Sequence, residues 1–212
     1  MENQEVKDIM SLYMESVLQG KEIPSVYSFC KDNGLEETDF YKEYASFEHL
    51  KASIYEKFVS ETVKMITETD GFEAYSSREK LLSFYYTFFE LLTANRSYVV
   101  LTLKEAKLES LKNLSGLRSA FTKFIGELGL LDIPIPQEMI NKVKDKAISE
   151  AAVIQLMFTL KFWLNDTSPS FEKTDSLIEK SVNASFDIIK SLPAGSIFDL
   201  GKFLFYEKFS RS

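Results

Sequence analysis

Apolar residues recur along most of this chain at intervals of three to five positions. This spacing is typical of α-helices that bury one face. It is clearest in the run from Phe47 through Leu50, Ile54 and Phe58 to Ile66. No stretch of strict alternation is long enough to indicate a β-strand. The pattern therefore predicts an all-α protein.

Capping and breaking residues divide this pattern into nine or ten helices. Ser25 and Ser46 precede apolar runs as helix N-caps do, Asn33-Gly34 is typical of a tight turn, and Pro136 suits a first helical position. The predicted helices cover about 4–18, 25–31, 36–43, 46–70, 76–95, 97–110, 113–131, 136–166, 171–192 and 196–209.

The composition is that of a globular protein. Of the 212 residues, 45% are hydrophobic and 27% charged, and only 8 Gly and 5 Pro interrupt helices. The polar N-terminus does not resemble a signal peptide, and no run of about 18 apolar residues predicts a membrane span. We therefore expect a cytoplasmic protein without membrane insertion.

Charge is distributed unevenly along the chain. Residues 1–50 hold 11 Asp/Glu and 4 Lys/Arg, whereas residues 51–212 hold 21 of each. The whole net charge of −7 therefore belongs to the first fifty residues. A segment that grips phosphates is normally basic, since its cations displace condensed counterions.

The segment from Gly34 to Leu50 resembles the helix-turn-helix of the TetR family of bacterial regulators. The family's turn glycine, its aromatics seven and ten residues later, and the polar start of its fourth helix correspond to Gly34, Tyr41, Tyr44 and Ser46. The resemblance extends over about residues 5–58, and the length and helix count also fit.

This resemblance implies a domain organisation and a function. Residues 1–50 would form a DNA-binding head, and residues 51–212 a ligand-binding and dimerisation body. The implied protein is a homodimeric one-component transcriptional regulator that binds a small ligand; the aromatic helices described below favour an apolar or aromatic one. The residues that we predict to face DNA are Ser25, Thr38, Tyr41, Lys42 and Ser46.

The head departs from the family on the surface that would touch DNA. Residues 36–43 carry Glu36, Glu37, Asp39 and Glu43 against the single base Lys42. The lysine usual at the start of the fourth helix is replaced by Phe47, and the basic N-terminal arm is missing. Two alternatives therefore stay open: a head that binds DNA weakly through a few lysines, and a TetR-fold lipid- or aromatic-ligand-binding protein, or protein-docking adaptor, that no longer reads DNA.

Residues for catalysis or metal binding are scarce. His49 is the only histidine and Cys30 the only cysteine, which excludes sites with two imidazoles and intrachain disulfides. No glycine-rich phosphate loop or two-cysteine metal motif occurs. We therefore expect that the protein is not an enzyme and that it binds no metal and no cofactor. We interpret His49 as structural and Cys30 as a buried core residue, with a redox sensor as the alternative for Cys30.

Aromatic residues concentrate in the predicted fifth, eighth and last helices. Most would be core, but together they favour an apolar pocket between helices. The residues that we predict to line it are Tyr85, Phe88, Phe124, Phe158 and Phe162.

The last two predicted helices carry a second apolar pattern. In TetR-like proteins the last two long helices form the dimer interface, and the alternative is burial within the subunit. The candidate residues are Phe186, Ile189, Ile197, Leu200 and Leu204.

Overall fold

The computed structural model describes residues 8–103, 114–128 and 138–191. In these ranges the regular structure is entirely helical. The helices are α1 (Ile9–Leu18), α2 (Val26–Asn33), α3 (Glu37–Glu43), α4 (Phe47–Thr67), α5 (Ser77–Ala94), α6 (Arg96–Leu103), α7 (Ser115–Glu127), α8 (Glu138–Asn165) and α9 (Glu172–Ser191). Short 3₁₀ turns lie at Phe72–Ala74 and Pro169–Phe171.

The all-α prediction is confirmed, and the helix boundaries agree closely with the predicted ones. The predicted N-caps Ser25 and Ser46 both accept a backbone N–H three residues on, at 3.1 and 3.2 Å. Gly34 ends α2 in the left-handed conformation, with a φ of 68°. The second half of the predicted sixth helix and the whole of the last one lie outside the described residues.

The chain divides into two compact units. The first comprises Met1–Glu61 and Glu90–Ser119, and the second comprises Thr62–Phe89 and Ala120–Ser212. The first unit therefore contains the proposed head together with most of α4, the end of α5, α6 and the first turn of α7.

An aromatic cluster forms the core of the head. The ring of Phe40 lies 6.2 Å from that of Phe29 and 5.4 Å from that of Phe47, and Tyr13 lies 5.5 Å from Phe47. Phe40 and Phe29 are almost completely buried. The two pairs of Phe40 are edge-to-face and that of Tyr13 is tilted. Aromatic pairs add to the stabilisation from buried area, so α1–α4 form one packed group.

A close helix crossing completes the first unit. Gly116, in the first turn of α7, packs against the backbone carbonyl of Ala52 in α4, and a Cβ at Gly116 would overlap that oxygen. The hydroxyl groups of Tyr55 and Thr102 also share a hydrogen bond of 2.6 Å between α4 and α6. A glycine is needed at position 116 because the two backbones approach so closely.

A second aromatic cluster fills the other unit. The ring of Phe84 in α5 lies 5.4 Å from Phe88, 5.0 Å from Phe121 and 4.7 Å from Phe124. These rings and the neighbouring Tyr85 are buried. Helix α5 is thus covered on several sides, as its apolar sequence predicts.

An arginine links α5 to α9. The guanidinium of Arg78 donates to Asn183 at 3.1 Å and forms an ion pair with Asp187 at 2.8 Å. It also lies 5.3 Å from the ring centroid of Phe186, which is 8% exposed. Phe186 is therefore buried within the subunit, the second of the two alternatives for this apolar pattern.

Part of α8 is long and apolar enough to cross a membrane, judged by length and composition alone. This stretch is Lys146–Asn165, and 39% of its most apolar window is buried inside the protein. Val153, Leu156, Leu160 and Trp163 are buried. Packing inside the unit therefore covers part of this apolar stretch.

Candidate functional site

Two short helices joined by a tight turn form the candidate nucleic-acid interface. Helices α2 and α3 pack against each other, and Gly34 turns the chain between them. The N–H of Leu35 donates to the carbonyl of Cys30 at 2.8 Å, which closes the end of α2. Helix–turn–helix DNA-binding motifs have this order, with the second helix as the reading helix.

Phe47 occupies the position where the resemblance leads us to expect a DNA-binding lysine. Its ring is half-buried and lies 5.4–5.8 Å from those of Tyr13, Phe29 and Phe40. A lysine ammonium at this place in the cluster would need either to reach past the rings to water or to be desolvated. The missing lysine is thus explained by packing.

The predicted DNA-facing residues fall into two groups. Thr38, Tyr41 and Lys42 are exposed on α3, and Tyr41 keeps 54% of its surface. Ser25 and Ser46 instead cap α2 and α4 with their hydroxyl oxygens, which restricts them to the ends of those helices. Helix N-termini of this kind can still present backbone N–H groups to a phosphate.

The only base of α3 forms an ion pair with an acid of the same helix. The ammonium of Lys42 lies 2.8 Å from Oδ1 of Asp39, one turn earlier. The hydrogen bond from this ammonium to Asp39, together with the charge of Asp39, raises the pKa of Lys42. A phosphate would therefore have to compete with Asp39 for this cation.

The acids of α3 also influence the interior of the head. Cys30 is buried, and its burial, together with the charges of Glu37, Asp39 and Glu36, raises the pKa of its thiol. The thiolate is the reactive form of cysteine, so this environment disfavours reactivity. Glu36, Glu37 and Asp39 thus place negative charge close to the buried thiol.

One exposed aromatic on α2 was missed by sequence reasoning. Tyr27 keeps 60% of its surface exposed, and the ammonium of Lys31 lies 5.9 Å from the centre of its ring. The two residues are one helical turn apart, a spacing at which side chains meet. This pair adds a cation and an aromatic ring to the α2 side of the candidate interface.

His49 is exposed, and the contacts that it makes are structural. Its Nδ1 accepts the backbone N–H of Ala45 at 3.2 Å, and its ring lies 5.9 Å from that of Tyr44. These contacts hold the start of α4, in agreement with the structural interpretation of this histidine.

The predicted ligand-lining residues do not lie together. Tyr85, Phe88 and Phe124 surround Phe84 in the buried cluster. Phe158 and Phe162 instead lie on the outer face of α8 and are 58% and 36% exposed. The grouping of these five residues into one ligand site stays a prediction.

Tyr85 carries a buried polar atom in an apolar environment. Its side chain is fully buried, and its hydroxyl has no hydrogen-bond partner in the described residues. Burial raises the pKa of this hydroxyl well above its usual range. A buried hydroxyl without a partner is costly, so such atoms often mark a place where a water or a ligand binds.

In the part of the chain that the structure describes, acidic, histidine and cysteine side chains do not cluster as they would in a metal centre. Among the described residues, no group of three or more His, Cys, Asp or Glu side chains converges. Asp166 is buried, but its carboxylate is saturated by the backbone N–H and hydroxyl groups of Ser168 and Thr174, at 2.7–3.0 Å. Its role is to hold the start of α9.

Comparison with known protein families identifies a match in the second part of the chain. Residues 80–204 match the family model described as "Tetracyclin repressor-like, C-terminal domain", which covers more than half of the chain. No curated protein matches the chain. The match lies outside the head and agrees with the resemblance that the head sequence shows.

Proposed function

We propose that this chain, which belongs to the tetracycline repressor-like (TetR) family of regulators, is a ligand-responsive transcriptional regulator that acts as a homodimer. The proposal rests on the presence of a TetR-type body and of two short helices joined by a tight turn in the same chain. A TetR-type body is matched over residues 80–204, and the order of α2, Gly34 and α3 supports the proposal that they form a DNA-reading head. In this proposal a ligand in the body changes how the two heads fit their DNA.

DNA binding by this head should be weak. The ammonium of Lys42 already forms an ion pair with Asp39, and the acids Glu37 and Glu43 lie on the same short helix. The remaining contacts would come from Tyr41, from Lys31 and from the N-terminal N–H groups of the short helices. We expect a salt slope shallower than about −4 per dimer and an affinity no better than roughly micromolar.

Binding of a random-sequence duplex and of the DNA flanking its own gene, measured by fluorescence anisotropy over a salt series, tests this function. The proposal expects measurable binding that weakens with salt and is tighter for the flanking DNA. Absence of binding to either duplex at low salt would overturn it. That result would favour the second candidate, a TetR-fold ligand-binding or adaptor protein, which the ion pair of Lys42 with Asp39 supports.

The ligand that we propose is small and apolar, with one hydrogen-bond acceptor or donor for Tyr85. The rings of Phe84, Phe88 and Phe124 form a closed aromatic environment, and the buried hydroxyl of the neighbouring Tyr85 has no hydrogen-bond partner among the described residues, which supports a polar group of a ligand at that point. A ligand that binds only the folded protein raises its melting temperature. Thermal shifts with a set of apolar compounds should therefore be reduced in Tyr85→Phe for those that hydrogen-bond.

The dimer surface that we propose lies on α8 and α9. Gln155 joins these helices through hydrogen bonds of 3.1 Å to Ser181 and Ser185. Beside these contacts Ile154 and Ile188 are 68% and 57% exposed, unusual for isoleucine. Association through such residues should bury more than about 1,000 Å².

The other residues predicted from the sequence for the dimer interface are only partly described. Ile189 is half-exposed, and Ile197, Leu200 and Leu204 lie outside the described residues.

Light scattering tests this assembly. The protein should scatter as a dimer, and Ile154→Glu with Ile188→Glu should make it monomeric. The matched control, Leu101→Glu, changes an exposed apolar residue of α6 instead and should leave the dimer intact. A monomeric parent protein at micromolar concentration would contradict the proposal.

A further inference from the structure

The short turn Pro169–Phe171 between α8 and α9 has an unfavourable backbone conformation. Ser170 and Phe171 have φ angles of 51° and 60°, in the left-handed region that favours glycine. Elsewhere in the described residues, positive φ angles belong to glycines. Two consecutive non-glycine residues in this region, one of them a phenylalanine, therefore store backbone strain in the folded protein.

Hydrogen bonds around the turn hold it in this conformation. The carboxylate of Asp166 accepts the backbone N–H groups of Ser168 and Thr174, on the two sides of the turn, at 2.8 and 3.0 Å. The N–H of Phe171 donates to the carbonyl of Ser168 at 3.2 Å, and the hydroxyl of Ser168 accepts the N–H of Lys173 at 3.2 Å. Strain that neighbouring contacts maintain in this way is typical of switch segments and ligand clamps.

The turn places the ring of Phe171 at the outer end of a row of aromatic rings. Phe171 is half-buried, and its ring centroid lies 5.8 Å from that of Trp163, which is completely buried. The ring of Trp163 lies 5.9 Å from that of Phe89, which stacks on the ring of Tyr85 at 6.3 Å. The row therefore runs without a break from the surface turn to Tyr85, whose buried hydroxyl has no hydrogen-bond partner among the described residues.

This row lies on the buried side of α8. Trp163 follows Ile154 by about two and a half helical turns, so the two side chains point to opposite sides of the helix. Trp163 is buried and Ile154 is exposed, in agreement with this geometry. A movement of the turn away from Trp163 therefore does not involve the exposed face of α8 on which we propose the dimer contact.

From these contacts we infer that the Pro169–Phe171 turn is a gate that opens the aromatic row to water and to an apolar solute. In the closed state the ring of Phe171 covers Trp163 while the backbone stays strained. In the open state the turn relaxes, Phe171 leaves Trp163, and the row that leads to Tyr85 becomes accessible. This inference rests on the proposed function, because the ligand proposed for Tyr85 needs a way into a closed core.

Ser170→Gly tests the gate without removing any ring. Glycine adopts a φ of 51° without strain, so the variant stabilises the closed state and makes opening rarer. Hydrogen exchange in the full chain measures opening, by mass spectrometry for the turn and by NMR for the indole N–H of Trp163, the single tryptophan. Both exchange rates should fall about three- to tenfold, the factor expected from strain relief at one left-handed residue.

The matched control is Ser170→Ala, which also removes the exposed hydroxyl but keeps a Cβ and therefore the strain. This control should exchange at the parent rate in both measurements. Phe171→Ala removes the covering ring instead and should speed exchange of the indole N–H. Equal exchange rates in Ser170→Gly and Ser170→Ala would overturn the gate.

The neutral fluorophore N-phenyl-1-naphthylamine tests access to the row. Its association and dissociation, followed through the emission of Trp163, should both slow about three- to tenfold in Ser170→Gly with an unchanged Kd, because the turn covers the row in the free and the bound protein alike. Probe kinetics that stay at the parent rates while hydrogen exchange slows would overturn the gate. A parent protein that binds no probe would instead contradict the ligand proposed for Tyr85, and slower exchange in Ser170→Gly would still support opening of the turn.

Discussion

The ammonium of Lys42 lies 2.8 Å from a carboxylate oxygen of Asp39, three residues earlier on α3. Both side chains are at least half-exposed, so the ion pair itself contributes little stability. Its functional consequence is larger, because it occupies the one cation of the helix that would read DNA.

Asp39→Asn should therefore strengthen binding to a random DNA duplex. The change removes a negative charge from α3 and releases Lys42. The salt slope should become steeper by about −0.9 for each additional phosphate that is neutralised. Anisotropy titrations over a salt series measure both quantities. Asp70→Asn, outside the head, carries the same charge change and should leave binding unaltered; an identical gain in both variants would show that only net charge matters.

Phe47→Lys, which restores the lysine of related heads, should destabilise the protein rather than create a good DNA-binding residue. The half-buried ring contacts Tyr13, Phe29 and Phe40, and its loss should cost roughly 2–3 kcal/mol. Urea unfolding measures the cost. The control, Phe47→Leu, keeps an apolar side chain and should cost clearly less. A lysine variant as stable as the parent would show that position 47 is not part of the core.

Gly116→Ala should destabilise the protein by about 1–3 kcal/mol, because a Cβ at this position overlaps the carbonyl of Ala52. Gly126 provides a control on the same helix, since a Cβ there meets no atom within 4 Å. Gly126→Ala should be neutral or stabilising by up to about 1 kcal/mol, as expected for alanine in a helix. Thermal unfolding compares the two, and equal effects would contradict the close α4–α7 approach.

Asp166→Asn should weaken the start of α9 by about 1–3 kcal/mol, because an amide cannot accept all four hydrogen bonds. Burial opposes ionisation of this carboxyl, but the hydrogen bonds from Ser168 and Thr174 outweigh it and lower the pKa of Asp166 from 3.8 to about 2. Its contribution to stability is therefore complete above about pH 4 and is lost as the pH falls towards 2.

Urea unfolding of the parent and of Asp166→Asn as a function of pH measures this contribution. The difference in the free energy of unfolding between the two proteins should shrink through that window. Asp70→Asn, in an exposed loop, should stay within about 0.5 kcal/mol of the parent at neutral pH. A difference that stays constant down to pH 2 would contradict the role of the ionised carboxylate.

The sequence alone determined those features of the fold that arise from interactions between residues a few positions apart. The apolar period predicts helices because each helix must bury one face, and Ser25, Ser46 and Gly34 mark helix ends through contacts with their own neighbours. The TetR resemblance of the head was also readable, because turn and aromatic spacing are local features.

Only the tertiary structure decided which partners the apolar residues meet. The sequence shows two apolar residues, Phe186 and Ile188, on one predicted helix. It does not show that Arg78 covers Phe186 while Ile188 faces solvent. It likewise groups Phe158 with Phe88, although one lines an open cleft and the other a closed core. The sequence predicts which face of a helix is apolar and is therefore to be buried. The element that covers this face comes from a distant part of the chain and depends on how the helices pack.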